Sequence, residues 1–127
     1  MPNYVIVFGM TNLRKIISKF NYAVKGLKIA FTTDNSFKVH FIVSILVIIS
    51  GIILKLDRFE WIIISLSIGN VLIAELFNTA IEYIVKMFTS EYHELAEKLL
   101  DISAGAVLLS VFLSITLACF VYIPHLM

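Results

Sequence analysis

Two carboxylates and an amide stand inside an apolar stretch, in the run Glu75-Leu76-Phe77-Asn78-Thr79-Ala80-Ile81-Glu82. Such groups are poorly tolerated in hydrocarbon, and where they occur there they mark functional sites. At 100° per residue, positions 75, 78 and 82 fall within about 60° of one another on a helix. One helix face therefore carries all three. Hard oxygen donors of this kind suit Mg²⁺, which binds through one or two carboxylates together with substrate phosphates. A carboxylate set deeper than the others is placed to take a proton from a group that a bilayer presents.

The elements that must position this face follow from composition. The chain has 127 residues, 60% hydrophobic and 15% charged, with a mean hydropathy of +0.96. Soluble domains average roughly 45–50% and 25%. The class is all-α integral membrane, and the length suits one domain over 1–127. Three spans are expected, at about 37–54, 61–85 and 99–123, each near the roughly 20 residues that a bilayer core demands. Helices are required because hydrocarbon leaves no other partner for backbone polar groups. The connection at 55–60 is short and makes the first two spans an antiparallel hairpin. The connection at 86–98 is longer and polar.

Residues 13–31 follow a different pattern. Leu13, Ile16, Ile17, Phe20, Val24, Leu27 and Phe31 form one stripe at 3.6 spacing, with Arg14, Lys15, Lys19 and Lys25 on other faces. This is a basic amphipathic helix, expected to lie on the membrane surface against anionic headgroups rather than to pack as a core helix. Six of the ten basic residues (Arg14, Lys15, Lys19, Lys25, Lys28 and Lys38) lie at or before the start of the first span. The positive-inside rule then keeps the amino terminus in the cytoplasm, with 55–60 outside, 86–98 inside and the carboxyl terminus outside. Trp61 and Phe59 mark the outer interface; Tyr83, Phe88 and Tyr92 mark the inner one. Cys119 is the sole cysteine, which excludes an intrachain disulfide and a cysteine metal cluster. The apolar run Tyr4 to Met10 lacks a basic lead and a small-residue cleavage site, so no cleavable signal peptide is expected.

With this topology, Asp34, Glu82 and Asp101 share the cytoplasmic level, and Glu75 lies about 10 Å deeper than Glu82 at a rise of 1.5 Å per residue. Each polar group also has a plainer reading. Asp34-Asn35-Ser36 is a good N-cap cluster for the first span, and Asp101 could cap or favour a helix start. Glu91, Glu94 and Glu97 have the spacing of a solvated, helix-starting face; His93 reads as a surface histidine and Tyr22 as an interface tyrosine. For Glu75 the plain alternative is an ion pair with a lysine, but no basic residue within the spans is expected to pair with it. A proton-coupled transporter using Glu75 would need a polar path outward, and Trp61 to Gly69 offers only Ser65 and Ser67.

These residues also carry a resemblance. The run from Ala74 to Glu82, with Ser90-Glu91-Tyr92-His93-Glu94-Leu95-Ala96 and Asp101-Ile102-Ser103-Ala104-Gly105-Ala106-Val107-Leu108, resembles the small bacterial diacylglycerol kinase and undecaprenol kinase family. Lys25-Gly26-Leu27, Ala30 and Phe37-Lys38-Val39-His40 agree in order and spacing. The resemblance covers about residues 14–123. His40 and the Ala-Gly-Ala-Val run look more like the undecaprenol kinase branch. The resemblance implies a homotrimer of three-span protomers in the bacterial cytoplasmic membrane, with active sites shared between protomers. It implies transfer of the ATP γ-phosphoryl group to a lipid primary alcohol, and no nucleic-acid partner. By position, Glu75 would be the general base that meets the acceptor and Asn78 would orient it. Asp34 and Glu82 would hold Mg²⁺ on the phosphates. Lys15, Tyr22, Asp34, Glu82, Glu91, Tyr92, His93 and Asp101 would contact ATP. Three positions depart from the family pattern: Asp34 stands where Glu is common, Leu100 where Lys precedes the Asp, and Lys86 where Asp closes the signature. Lys98 lies about 200° around a helix from position 100 and substitutes poorly. Lys86 could pair with Glu82 at i, i+4 or reach phosphate. A family member that binds nucleotide or lipid without catalysis is the competing expectation.

Overall fold

A computed structural model describes residues 12–127. The run Tyr4 to Met10 lies outside the described residues. Four helices follow one another: α1 (Asn12–Thr33), α2 (Asn35–Leu54), α3 (Arg58–Phe88) and α4 (Glu94–Leu126). The last three are long and apolar enough to cross a membrane. Their bounds contain the expected spans, with α3 and α4 running several residues further into the interfaces.

Each junction is built by local capping. One non-helical residue, Asp34, separates α1 from α2, at φ −107° and ψ 113°. Its Oδ1 accepts from Ser36 N at 2.8 Å and Phe37 N at 3.2 Å. These bonds satisfy backbone donors that open every helix, so the chain can leave the surface helix and enter a span at a single residue. At the other end of α2, Lys55 takes the left-handed conformation at φ 56°. The amides of Leu56 and Lys55 return to Gly51 O and Ile52 O at 3.1 and 3.2 Å, a closure that stops the helix. Asp57 and Glu60 then form a reciprocal capping box, with bonds of 2.9 and 2.8 Å, that starts α3. Gly51 is required where the hairpin closes: a Cβ there would come within 2.9 Å of the Trp61 ring.

Beyond this hairpin, α3 packs most extensively on α4 and next on α2, while α1 touches both α2 and α3. The hairpin end holds a small core of Leu56, Ile64 and Val121, flanked by Trp61 and Tyr122. The Tyr122 hydroxyl donates to Val47 O at 2.9 Å, and His125 Nε2 meets Glu60 Oε1 at 2.8 Å. These contacts tie α4 to both other spans. The apolar stripe of α1 stays uncovered, with Leu13, Ile16 and Phe20 all more than 60% exposed. Ala30 is the buried residue of that helix. A surface-lying helix places such a stripe at the headgroup–acyl boundary.

Candidate active site

Helix α3 carries the two carboxylates of the signature in its carboxyl-terminal half. Glu75 is 2% exposed. Glu82 is two turns further along, with its side chain 42% exposed. Asp34, Glu82 and His40 are all near enough to interact electrostatically with Glu75. Neighbours approach from two sides. From α2 and its cap, Thr79 donates its hydroxyl to Asp34 Oδ2, and His40 Nε2 lies 3.1 Å from Glu75 Oε1. From α4, Ser103 donates to Asn78 Oδ1 at 2.7 Å, and Asn78 Nδ2 donates in turn to Glu82 Oε1 at 3.1 Å.

The wheel accounts for this division. Relative to Glu75, Thr79 is turned about 40° one way and Asn78 about 60° the other, with Glu82 between them. Thr79 therefore reaches the α2 cap, Asn78 reaches α4, and Glu82 faces the gap. Around Glu82 a cavity of about 280 Å³ is lined by Asn78, Val85, Lys86, Leu100, Asp101 and Ala104. Asp101 and Glu82 thus share one space. On the other side of α3, an apolar groove of about 470 Å³ runs between α1 and α3, from Ala23, Gly26 and Ala30 to Leu76, Thr79 and Tyr83.

Several plain readings are settled by these contacts. Against the expectation that no basic residue within the spans pairs with Glu75, His40 does, with Nε2 3.1 Å from Oε1. Asp34 is indeed the N-cap of α2, and its second oxygen is also tied to α3. Asp101 is not a cap, because His93 Nδ1 accepts from Leu95 N at 3.2 Å and α4 starts at Glu94. Asp101 sits two turns into the helix. Glu94 and Glu97 fall in the first turn of α4, whereas Glu91 precedes it, its N–H bonded to Thr89 Oγ1 at 3.1 Å. Tyr92 donates to Glu97 Oε2 at 2.7 Å. That bond raises the phenol above its usual pKa, so Tyr92 stays a hydrogen-bond donor at neutral pH. Lys86 Nζ stands 3.8 Å from Glu82 Oε2 and is 71% exposed. Tyr22 lies under Lys25 Nζ, 5.5 Å from its ring centre, and Lys15 lies in the first turn of α1.

Asn78 is held to Glu82 and Ser103, with no bond to Glu75 among its contacts. His40, Thr79 and Ser103 were missed as members of the site. Thr79 and Ser103 had a sequence signal, standing within the Glu75–Glu82 and Asp101–Leu108 runs. His40 had another, as the sole histidine well inside an apolar span.

No group of three or more His, Cys, Asp or Glu side chains able to cage a metal occurs among the described residues. The carboxylates of Asp34 and Glu82 are the kind of donor with which Mg²⁺ is bound alongside substrate phosphates. Glu82 accepts one amide bond, faces Lys86 at 3.8 Å and is partly open to solvent, and Asp34 Oδ2 keeps a free lone pair beside its bond to Thr79.

The family model for prokaryotic diacylglycerol kinase matches residues 21–122. The undecaprenol kinase of Bacillus subtilis is 33% identical over 114 residues, which cover 90% of this chain and 93% of that protein. A diacylglycerol kinase of Synechocystis is 33% identical over 113 residues, covering 88% of this chain and 65% of that protein. The diacylglycerol kinase of Escherichia coli K12 is 29% identical over 115 residues, covering 91% and 94%. With three helices long and apolar enough to cross a membrane and a pair of carboxylates in the carboxyl-terminal half of α3, the chain belongs to the prokaryotic diacylglycerol kinase family of membrane lipid kinases.

Proposed function

We propose that this kinase phosphorylates the primary hydroxyl of undecaprenol with ATP and Mg²⁺, on the cytoplasmic face of the bacterial plasma membrane. The observation that supports the proposal is the pair of carboxylates two turns apart on one helix face, Glu75 buried and Glu82 partly exposed, which suits a base that meets a lipid hydroxyl and a ligand that meets phosphate. The undecaprenol branch is favoured by the relative at 33% identity along nearly the full length of both chains.

In the step itself the lipid oxygen bonds to the γ-phosphorus as the β–γ bridging P–O bond breaks, and ADP leaves. Glu75 takes the hydroxyl proton. Asn78, held by Ser103, fixes the Glu82 carboxylate. Glu82 and Asp34 would hold Mg²⁺, which when bound neutralises charge on the transferring group. Asp101 and the α3–α4 connection, with Glu91, Tyr92 and His93, supply the nucleotide side. Phosphoryl transfer asks for positioning and charge neutralisation, and these fixed side chains supply both.

The protein works as a homotrimer with sites shared between protomers. Lys15 and Asp34 lie at opposite ends of α1, roughly 28 Å apart at 1.5 Å per residue. One protomer cannot close both on a single triphosphate, whereas a neighbour's α1 can supply the missing cation. The competing acceptor is diacylglycerol. The competing status is a binder with weak turnover, favoured by Lys86 beside Glu82 and by Leu100 in the Asp101 cavity.

A competition assay distinguishes these readings. Purified protein in mixed micelles receives ATP, Mg²⁺ and equal undecaprenol and diacylglycerol. Undecaprenyl phosphate is expected in about 10-fold excess, within the reach of an apolar site that discriminates by shape. Phosphatidic acid in excess assigns the other acceptor. Traces of both, rising when Leu100→Lys and Lys86→Asp are introduced, assign the weakened member.

A further inference from the structure

His40 is not accounted for by any step above, yet among the described residues it makes the polar contact to the side chain of the buried base. We infer that His40 is a positioning residue for Glu75, holding one carboxylate oxygen so that the other faces the acceptor hydroxyl. The inference rests on the reading of Glu75 as base.

The geometry carries it. Glu75 is 2% exposed, so water does not orient its carboxylate. His40 Nε2 stands 3.1 Å from Oε1. The contact is a close polar pair between the imidazole nitrogen and the carboxylate oxygen. The backbone that carries the ring is fixed: Ser44 Oγ donates to His40 O at 2.7 Å, and the histidine stands on the second turn of α2, whose start is locked by the Asp34 cap. Asp34 is in turn bonded to Thr79, one turn from Glu75 on α3. Thr79 Oγ1 also lies 2.9 Å from Glu75 O, so its one proton is shared between the two acceptors. The α2 cap and His40 thus grip the same turn of α3 at two points, one through the Thr79 hydroxyl and one through the reacting carboxylate. With Oε1 occupied, Oε2 is the atom left to accept the lipid proton. Loss of the grip lets a carboxylate on a flexible stem rotate, and a misplacement of about 1 Å at a reacting atom can lower a rate about 100-fold.

The test compares steady-state kinetics of the full-length wild type, Glu75→Gln, His40→Leu and His40→Gln in bilayers. Leucine suits a span and removes the donor, so insertion and assembly are retained. Glutamine restores an N–H donor at a similar reach. For His40→Leu, kcat is expected to fall about 10- to 100-fold while KM for ATP stays near the wild-type value. His40→Gln is expected to recover most of the lost kcat. The inference is overturned if His40→Leu keeps wild-type kcat while Glu75→Gln is inactive. It is equally overturned if His40→Gln is as impaired as His40→Leu, which would make the ring a packing element. Wild-type turnover by Glu75→Gln would instead remove the base assignment itself, a result distinct from both.

Discussion

Glu75→Gln is expected to lower kcat by about 10²- to 10⁴-fold, the range spanned by loss of a general base, while ATP binding and assembly remain. The substitution is nearly isosteric and keeps an oxygen that can accept from His40 Nε2, so the contact at 3.1 Å survives. What disappears is the ability to take a proton at 2% exposure, where no water replaces it. A structural role predicts otherwise. If the carboxylate only paired with His40, a neutral amide in the same place would leave turnover within a few-fold of wild type. Single-turnover transfer from labelled ATP, with nucleotide binding measured separately, distinguishes loss of chemistry from loss of substrate.

The second large effect is expected at Glu82. Glu82→Gln keeps the bond from Asn78 Nδ2, since the amide oxygen still accepts, but removes the negative charge. As a metal ligand, Glu82 is expected to support kcat by about 10²- to 10³-fold, comparable to other groups that stabilise charge in a transition state. The variant should also need more Mg²⁺ for half-maximal rate. The alternative partner is Lys86, at 3.8 Å with both side chains substantially exposed. An exposed pair of that kind contributes about 0.2–1 kcal/mol. If pairing were the whole role, Glu82→Gln would change the rate little and leave the Mg²⁺ requirement unmoved. A Mg²⁺ titration of initial rates therefore decides between the two roles by orders of magnitude.

The parts of the molecule legible from sequence were those governed by local rules. The three spans follow from runs of apolar residues near bilayer length, and the surface helix from the 3.6 spacing of Leu13 through Phe31. The Asp34 cap was readable because Asp-Asn-Ser before an apolar run has a short-range cause. The helical wheel also placed Glu75, Asn78 and Glu82 on one face, because that geometry belongs to a single helix. Contacts between helices were not legible. Whether Asn78 bonds Glu75 or Glu82 depends on Ser103 of α4, 25 residues away. The partner of Glu75 is on α2 and came into reach only through the hairpin closed at Gly51 and Trp61. Asp34 caps α2 and bonds α3 at once; the cap has a local cause, and the contact with Thr79 does not. The start of α4 was legible in part: Glu94 and Glu97 fall in its first turn as a helix-starting face, whereas the His93 cap was not, because histidine is a less usual N-cap than Asp.

The shared helix face is tested most directly by following label from γ-phosphate-labelled ATP into lipid. Purified, membrane-inserted protein is given Mg²⁺ and undecaprenol, and then diacylglycerol in a parallel reaction. The expected result is labelled undecaprenyl phosphate formed in step with ADP, abolished by chelating Mg²⁺ and by Glu75→Gln. Absence of labelled lipid from both acceptors, with the protein intact and binding ATP, would contradict it.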